Sequence, residues 1–137
     1  MKRRIIILLS LLIASVIVSA QNGIDRFVDN ESTIGRSKFT SVVERDPQTR
    51  VVIRVVKVRE LTRGIDINTC LGFFEKEQST GRYSHRIEAG EQHTVVLAVD
   101  GERQNRVYML QYTGDHPMRA TDGKVTVVVR MKNRREE

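Results

Sequence analysis

Four groups able to bind metal or move protons, His85, Glu88, Glu91 and His93, fall within nine residues of one another. Imidazole nitrogens and carboxylate oxygens suit zinc, which takes three or four ligands at about 2 Å. In one extended segment His85 and His93 share a face but lie too far apart to reach one ion. A loop would have to fold them together. No helical His-Glu-x-x-His pattern accompanies them. The pair stands as the candidate metal ligands, short of a full set, and the reading is of no metal and no cofactor. His116, beside Pro117, reads as a turn residue.

Other reactive groups fare no better. A reactive cysteine needs partial exposure and a positive neighbour. Around Cys70 the nearest charges in sequence are Asp66 and Glu75, both negative, so it reads as a buried core thiol. Ser84 precedes His85, but a triad is assembled in space rather than by adjacency, and no Gly-x-Ser-x-Gly elbow occurs. Glu75 and Glu77 sit on helix positions that do not face each other, so they make no carboxylate pair for glycoside cleavage. The glycines are scattered among turns rather than gathered to cradle phosphate.

Arginine is the remaining signal, with 17 Arg against 6 Lys. Arg50, Arg54, Arg59 and Arg63 line one stretch, and Arg130 and Lys132 close the last strand. Brought side by side, Arg50, Arg54, Arg59, Arg130 and Lys132 would form a cationic strip that grips carboxylate or phosphate. An anionic glycan, a lipid headgroup or an acidic protein would fit it. The competing reading, which we favour, is that these charges keep Val-rich strands from pairing edge to edge. No aromatics interleave with the basic residues, which argues against nucleic acid.

The elements that must position these groups follow an N-terminal leader. Lys2, Arg3 and Arg4 precede an apolar run, Ile5 to Val18, that ends in Val18-Ser19-Ala20. This is the pattern of a secretory signal peptide, residues 1–20, cleaved between Ala20 and Gln21. The run is shorter than the roughly 20 residues of a spanning helix, so no stable membrane span is expected after cleavage. Removing three basic residues leaves 20 against 17 acidic, a net charge of +3 in place of +6. One cysteine excludes an internal disulfide, and the apolar content of 39% excludes a disordered chain. Residues 21–132 are expected to form one domain, followed by a charged tail at 133–137.

Asn22 is a plausible cap for a short helix whose Ile24, Phe27 and Val28 share a face. Lys38 to Glu44 and Arg50 to Leu61 read as a hairpin about Asp46-Pro47-Gln48-Thr49. In its second strand the apolar positions change parity, from Val51, Ile53 and Val55 to Val56 and Val58. That predicts a β-bulge near Val55-Val56; the alternative is that both faces are part-covered there. Ile67, Cys70, Leu71 and Phe74 make one helical stripe, placing a helix at about 67–79, capped by Asp66 or Asn68 and ended by Gly81. Residues 82–92 read as irregular. His93 to Val99, Arg106 to Thr113 and Lys124 to Lys132 read as strands, the last with Val125, Val127, Val129 and Met131 inward. The expected fold is α+β: about five mostly antiparallel strands in the order β-β-α-β-β-β, one amphipathic helix on one face, and a short N-terminal helix.

The leader, the hairpin Ser37–Arg45 and Arg50–Leu61, the Leu71-Gly72-Phe73-Phe74-Glu75-Lys76 helix and the Val107-Tyr108-Met109-Leu110 strand together have the layout of a known class. The chain resembles the small exported domains of unknown function of Bacteroides-type bacteria. The resemblance implies an exported location, periplasmic, secreted or on the cell surface, and a helix-on-sheet fold. It brings no catalytic residues. The expected function is non-enzymatic, a binding or envelope-structural role with an envelope protein or anionic glycan as partner. Binding of anionic glycan or lipid headgroup by the Arg strip is the alternative, and a small hydrolase the lesser one.

Overall fold

A computed structural model describes residues 22–30 and 38–132. The expected leader, its Ala20/Gln21 junction and the 133–137 tail lie outside the described residues. Helix α1 (Gly23–Asp29) is followed by strands β1 (Phe39–Arg45) and β2 (Val52–Leu61), helix α2 (Gly64–Lys76), and strands β3 (Arg82–Glu88), β4 (Gln92–Asp100), β5 (Gln104–Thr113) and β6 (Gly123–Met131). Short 3₁₀ turns follow α2 and precede β6. All strands join one antiparallel sheet in the order β1-β2-β6-β5-β4-β3. None of the described helices is long and apolar enough to cross a membrane.

The α+β class and the antiparallel sheet are as expected, but the sheet has six strands rather than five. The strand missing from the sequence reading is β3, within the segment read as irregular. It is an outer strand, and along it only Tyr83 is even half-buried. A strand wet on both sides needs no apolar alternation, so period-2 patterning has nothing to detect. Its Arg82, Arg86 and Glu88 are what an open edge requires.

Helix α2 starts three residues earlier than expected. Neither Asp66 nor Asn68 caps it; Arg63 occupies that position without a side-chain hydrogen bond. Gly64 is required by contact: a Cβ there would strike the Met118 backbone. The helix ends before Gly81, which is extended and lies against the Ala98 carbonyl where a Cβ would collide. The apolar stripe is as read: Ile67, Cys70, Leu71 and Phe74 are all buried. Helix α1 carries the expected Asn22 cap, closed into a capping box by Asp25.

The predicted bulge is not at Val55-Val56. Register shifts instead between Glu44 and Arg45, opposite Ile53, and β2 then pairs without interruption from Arg54 to Leu61. Val55 and Val56 are both half-buried, one on each face. Parity never slips, so Val55, Lys57, Arg59 and Leu61 all point toward the helices. The cations are tolerated there because α1 ends above them. Arg59 Nε donates to the Val28 carbonyl at 2.6 Å, and Lys57 Nζ meets the Asp29 carboxylate at 2.9 Å. The last turn of a helix has spare acceptors for such donors.

One continuous core lies between helices and sheet. Ile24, Phe27 and Val28 of α1 and the α2 stripe pack on Val95, Leu97, Tyr108, Leu110, Val125 and Val127. At about 25 cal/mol per Å² of apolar surface, this burial is the main term holding the layers together.

Candidate functional site

The hairpin β3–β4 supplies the loop that the His85/His93 pair needed. Ile87 pairs with His93 and His85 with Val95, which sets the two imidazoles diagonally on one face. His85 Nε2 lies 2.9 Å from His93 Nδ1, and His93 Nε2 lies 3.0 Å from the Gly114 carbonyl. A carbonyl only accepts, so His93 donates from Nε2. Its Nδ1, in the uncharged ring, then accepts from His85 Nε2–H, and His85 Nδ1 is left as the free base of the pair. His93 is buried and stacks on Tyr112 with centroids 4.4 Å apart. Burial, and then the neighbouring His93, hold the His85 pKa below its ordinary value, while Glu75 pulls the other way.

This arrangement holds a proton rather than an ion. The facing nitrogens are 2.9 Å apart while the ring centroids are 5.2 Å apart, so the rings meet nose to nose. Their lone pairs do not converge on a third point. Among the described residues no group of three or more His, Cys, Asp or Glu is placed to hold a metal. Glu88 and Glu91 do not join the pair: Glu88 pairs with Gln92 on the other face, and Glu91 is in the turn with φ of 60°. Ser84 likewise projects to the face opposite His85, so their adjacency does not join a nucleophile to a base. His116 caps the 3₁₀ turn, its Nδ1 accepting from the Met118 N–H. Cys70 is fully buried, and burial pushes its thiol well above the ordinary range, which keeps it unreactive.

The cationic strip is only partly assembled. Arg59 is 1% exposed, on the helix side of the sheet, with its guanidinium 4.6 Å over the Phe39 ring. It is a core residue tying α1 to β2 and does not belong to any surface strip. Arg50 is at the hairpin turn with φ of 64°, and Lys132 follows the end of β6. Arg54 and Arg130 are the two that come together, directly paired on adjacent strands and both exposed. Glu44, Arg54's other register neighbour, bonds its Nε at 3.0 Å and offsets the like charge.

The residue patterns lead one to expect Arg and Lys on the face of the sheet that carries no helix, a solvated or binding face, but its centre is an apolar band. Register places Val42, Val56, Val128, Val107 and Ala98 in one row across five strands. The next row carries Val58, Met109 and Val96, separated by Thr126. No layer of the described residues covers these side chains; Val42 is 57% and Val107 39% exposed. Charged rows border the band. One runs Glu44, Arg54, Arg130, Asn105, Asp100; the other runs Glu60, Lys124, Gln111, Thr94, Arg86. The signal was present in the sequence as apolar residues of the second parity in nearly every strand. A merely solvated face would carry polar residues there.

Two open grooves flank this face. One of about 410 Å³ is lined by Glu60, Thr62, Gln111, Asp122 and Lys124 among others. Another of about 390 Å³ lies along Ser84, His85, Arg86, Glu88 and Thr94. Neither sets a nucleophile in hydrogen-bond contact with a base, the minimum for covalent catalysis. Comparison with known proteins finds no matching family, no similar curated protein and no similar solved structure.

Proposed function

We propose that the protein is a non-enzymatic exported domain that works by binding, with the uncovered face of its sheet as the docking surface. The carrying observation is the two-row apolar band of Val42, Val56, Val128, Val107, Val58 and Met109 between charged borders. An apolar centre with a polar rim is the anatomy of a protein interface. Export rests on the leader of residues 1–20, and the layout shared with small exported Bacteroides-type domains supports an envelope, periplasmic or surface location. Glycan or headgroup binding through Arg54, Arg130 and Lys132 is the secondary reading, favoured only by the Arg54–Arg130 pairing.

Site-specific photo-crosslinking in the native host tests the docking reading. A crosslinker at position 107 or 128 should give discrete protein adducts, and one at the exposed helix position of Thr69 should not. Adducts should persist in high salt, because apolar contact is not screened as charge contact is. Equal labelling from all three positions, or none from 107 and 128, would sink it.

A further inference from the structure

We propose that the occupant of the uncovered face is a second copy of this chain. The inference rests on the docking reading above and names the partner. Two copies pack face to face about a twofold axis that runs parallel to the strands, midway between β6 and β5.

The register decides which groups then meet. This axis sets β6 of one copy over β5 of the other, β2 over β4, and β1 over β3. Val128 falls over Val107, Val56 over Ala98, and Val58 over Val96. Arg54 falls over Asp100, opposite in sign, and Arg130 over the neutral Asn105. Glu60 meets Thr94, and Lys124 meets Gln111. Within the four inner strands no like charges are opposed; at the rim, one row past Arg130 and Asn105, Lys132 falls over Arg103, and on the outer strands Val42 falls over Arg82. The other in-plane axis, across the strands, would set Arg130 over Lys124, like on like. The centre of the face is thus complementary to itself in this arrangement, as an isologous interface requires, and the like-charge meeting of Lys132 with Arg103 lies at the solvated rim. Sheets pack this way in sandwiches, about 10 Å apart and within about 30° of alignment.

The area suffices. Six strands at about 4.8 Å spacing, each about 25 Å long, present roughly 700 Å² per copy. Stable complexes bury roughly 800 Å² per partner. Within the monomer Arg54 is held by Glu44 and Asp100 by Arg82, at 3.0 and 3.7 Å, and all four are exposed. Both ends of the proposed contact are therefore in place and accessible before association.

Sedimentation equilibrium of the exported protein reads this directly. A concentration-dependent dimer is expected, and Val128→Asp should weaken it at least about tenfold. A charge exchange separates the specific interface from general stickiness. Arg54→Asp alone opposes Asp100 with Asp, and Asp100→Arg alone opposes Arg54 with Arg, so each variant should be monomeric. Mixed, the two should form a heterodimer, because both contacts are then of opposite sign. A chain that stays monomeric to about 200 μM, a concentration well above the dissociation constant of a standard interface, overturns the second-copy proposal. If crosslinks from 107 and 128 to another protein persist in that case, the docking reading stands with a different occupant. If they are also missing, both readings fall. Failure of the mixed variants to associate overturns the twofold arrangement, even where Val128→Asp abolishes the dimer.

Discussion

The two faces of this sheet distribute polarity in opposite ways. The helix-covered face buries Asp25 and Arg59 and half-buries Arg106, yet each has a partner. Asp25 accepts from Tyr108 Oη and Arg106 Nη1, both at 2.8 Å, and from the Asn22 N–H. Arg59 is bonded to the end of α1. The uncovered face instead leaves valines and a methionine without a second layer among the described residues, and puts its charges at the borders. Burial of a charge is tolerable only where a partner is built in, whereas exposure of an apolar row costs solubility unless something covers it. Among the described residues the covered face has its second layer, and the open one has none.

The largest effect that would test this contrast is at Asp25. Asp25→Ala removes the carboxylate that anchors α1 and leaves the half-buried Arg106 and the buried Tyr108 hydroxyl without their shared partner. A stability loss of about 3 kcal/mol is expected, read as a lower urea midpoint. A loss under about 1 kcal/mol would mean that the covered face is not closed by this cluster.

Neighbouring residues of β6 sharpen the comparison. Val127 is 1% exposed on the covered side, and Val128 is half-buried on the open side. Val127→Thr buries a hydroxyl among apolar groups and should cost about 2 kcal/mol. Val128→Thr should change monomer stability by no more than about 0.5 kcal/mol while weakening association. Equal losses in both would show that the two faces are equally enclosed.

The His85/His93 pair gives a smaller, pH-dependent effect. The folded pKa of His85 lies below the free value of 6.5. The unfolded chain therefore binds more protons between the two values. The pair's contribution is full above pH 6.5 and declines as pH falls through that window. The urea midpoint should drop on acidification there, and His85→Gln should flatten the drop. An unchanged profile in that variant would remove His85 as its source. Smallest of all, Lys57→Gln breaks a partly exposed pair with Asp29 and should cost under about 1 kcal/mol, by thermal denaturation. A larger loss would make that pair a true clamp on α1.

What could be read without the fold follows from strength of patterning. Ile67, Cys70, Leu71 and Phe74 announce a helix because burial on one stripe forces period 3.6. Val125, Val127 and Val129 announce a strand because one fully covered face forces period 2. Strand β3 had no such constraint, being an edge. Lys57 and Arg59 misled because charge normally marks the outside, and only the end of α1 overhead makes their inward placement stable. The histidines were visible as types, but their 2.9 Å contact required a hairpin in a segment whose own residues barely encode a strand.

The sequence by itself determined the elements with one fully buried face: α1 with its Asn22 cap, the α2 stripe, the inward valines of β6, and the buried Cys70. Those are local consequences of apolar periodicity and capping, which need no knowledge of neighbours. The tertiary structure alone decided which residues of different strands stand side by side. Register across β1-β2-β6-β5-β4-β3 is a property of pairing, not of any one segment. It gathered Val42, Val56, Val128 and Val107 into one band, set Arg54 beside Arg130, and brought His85 onto His93.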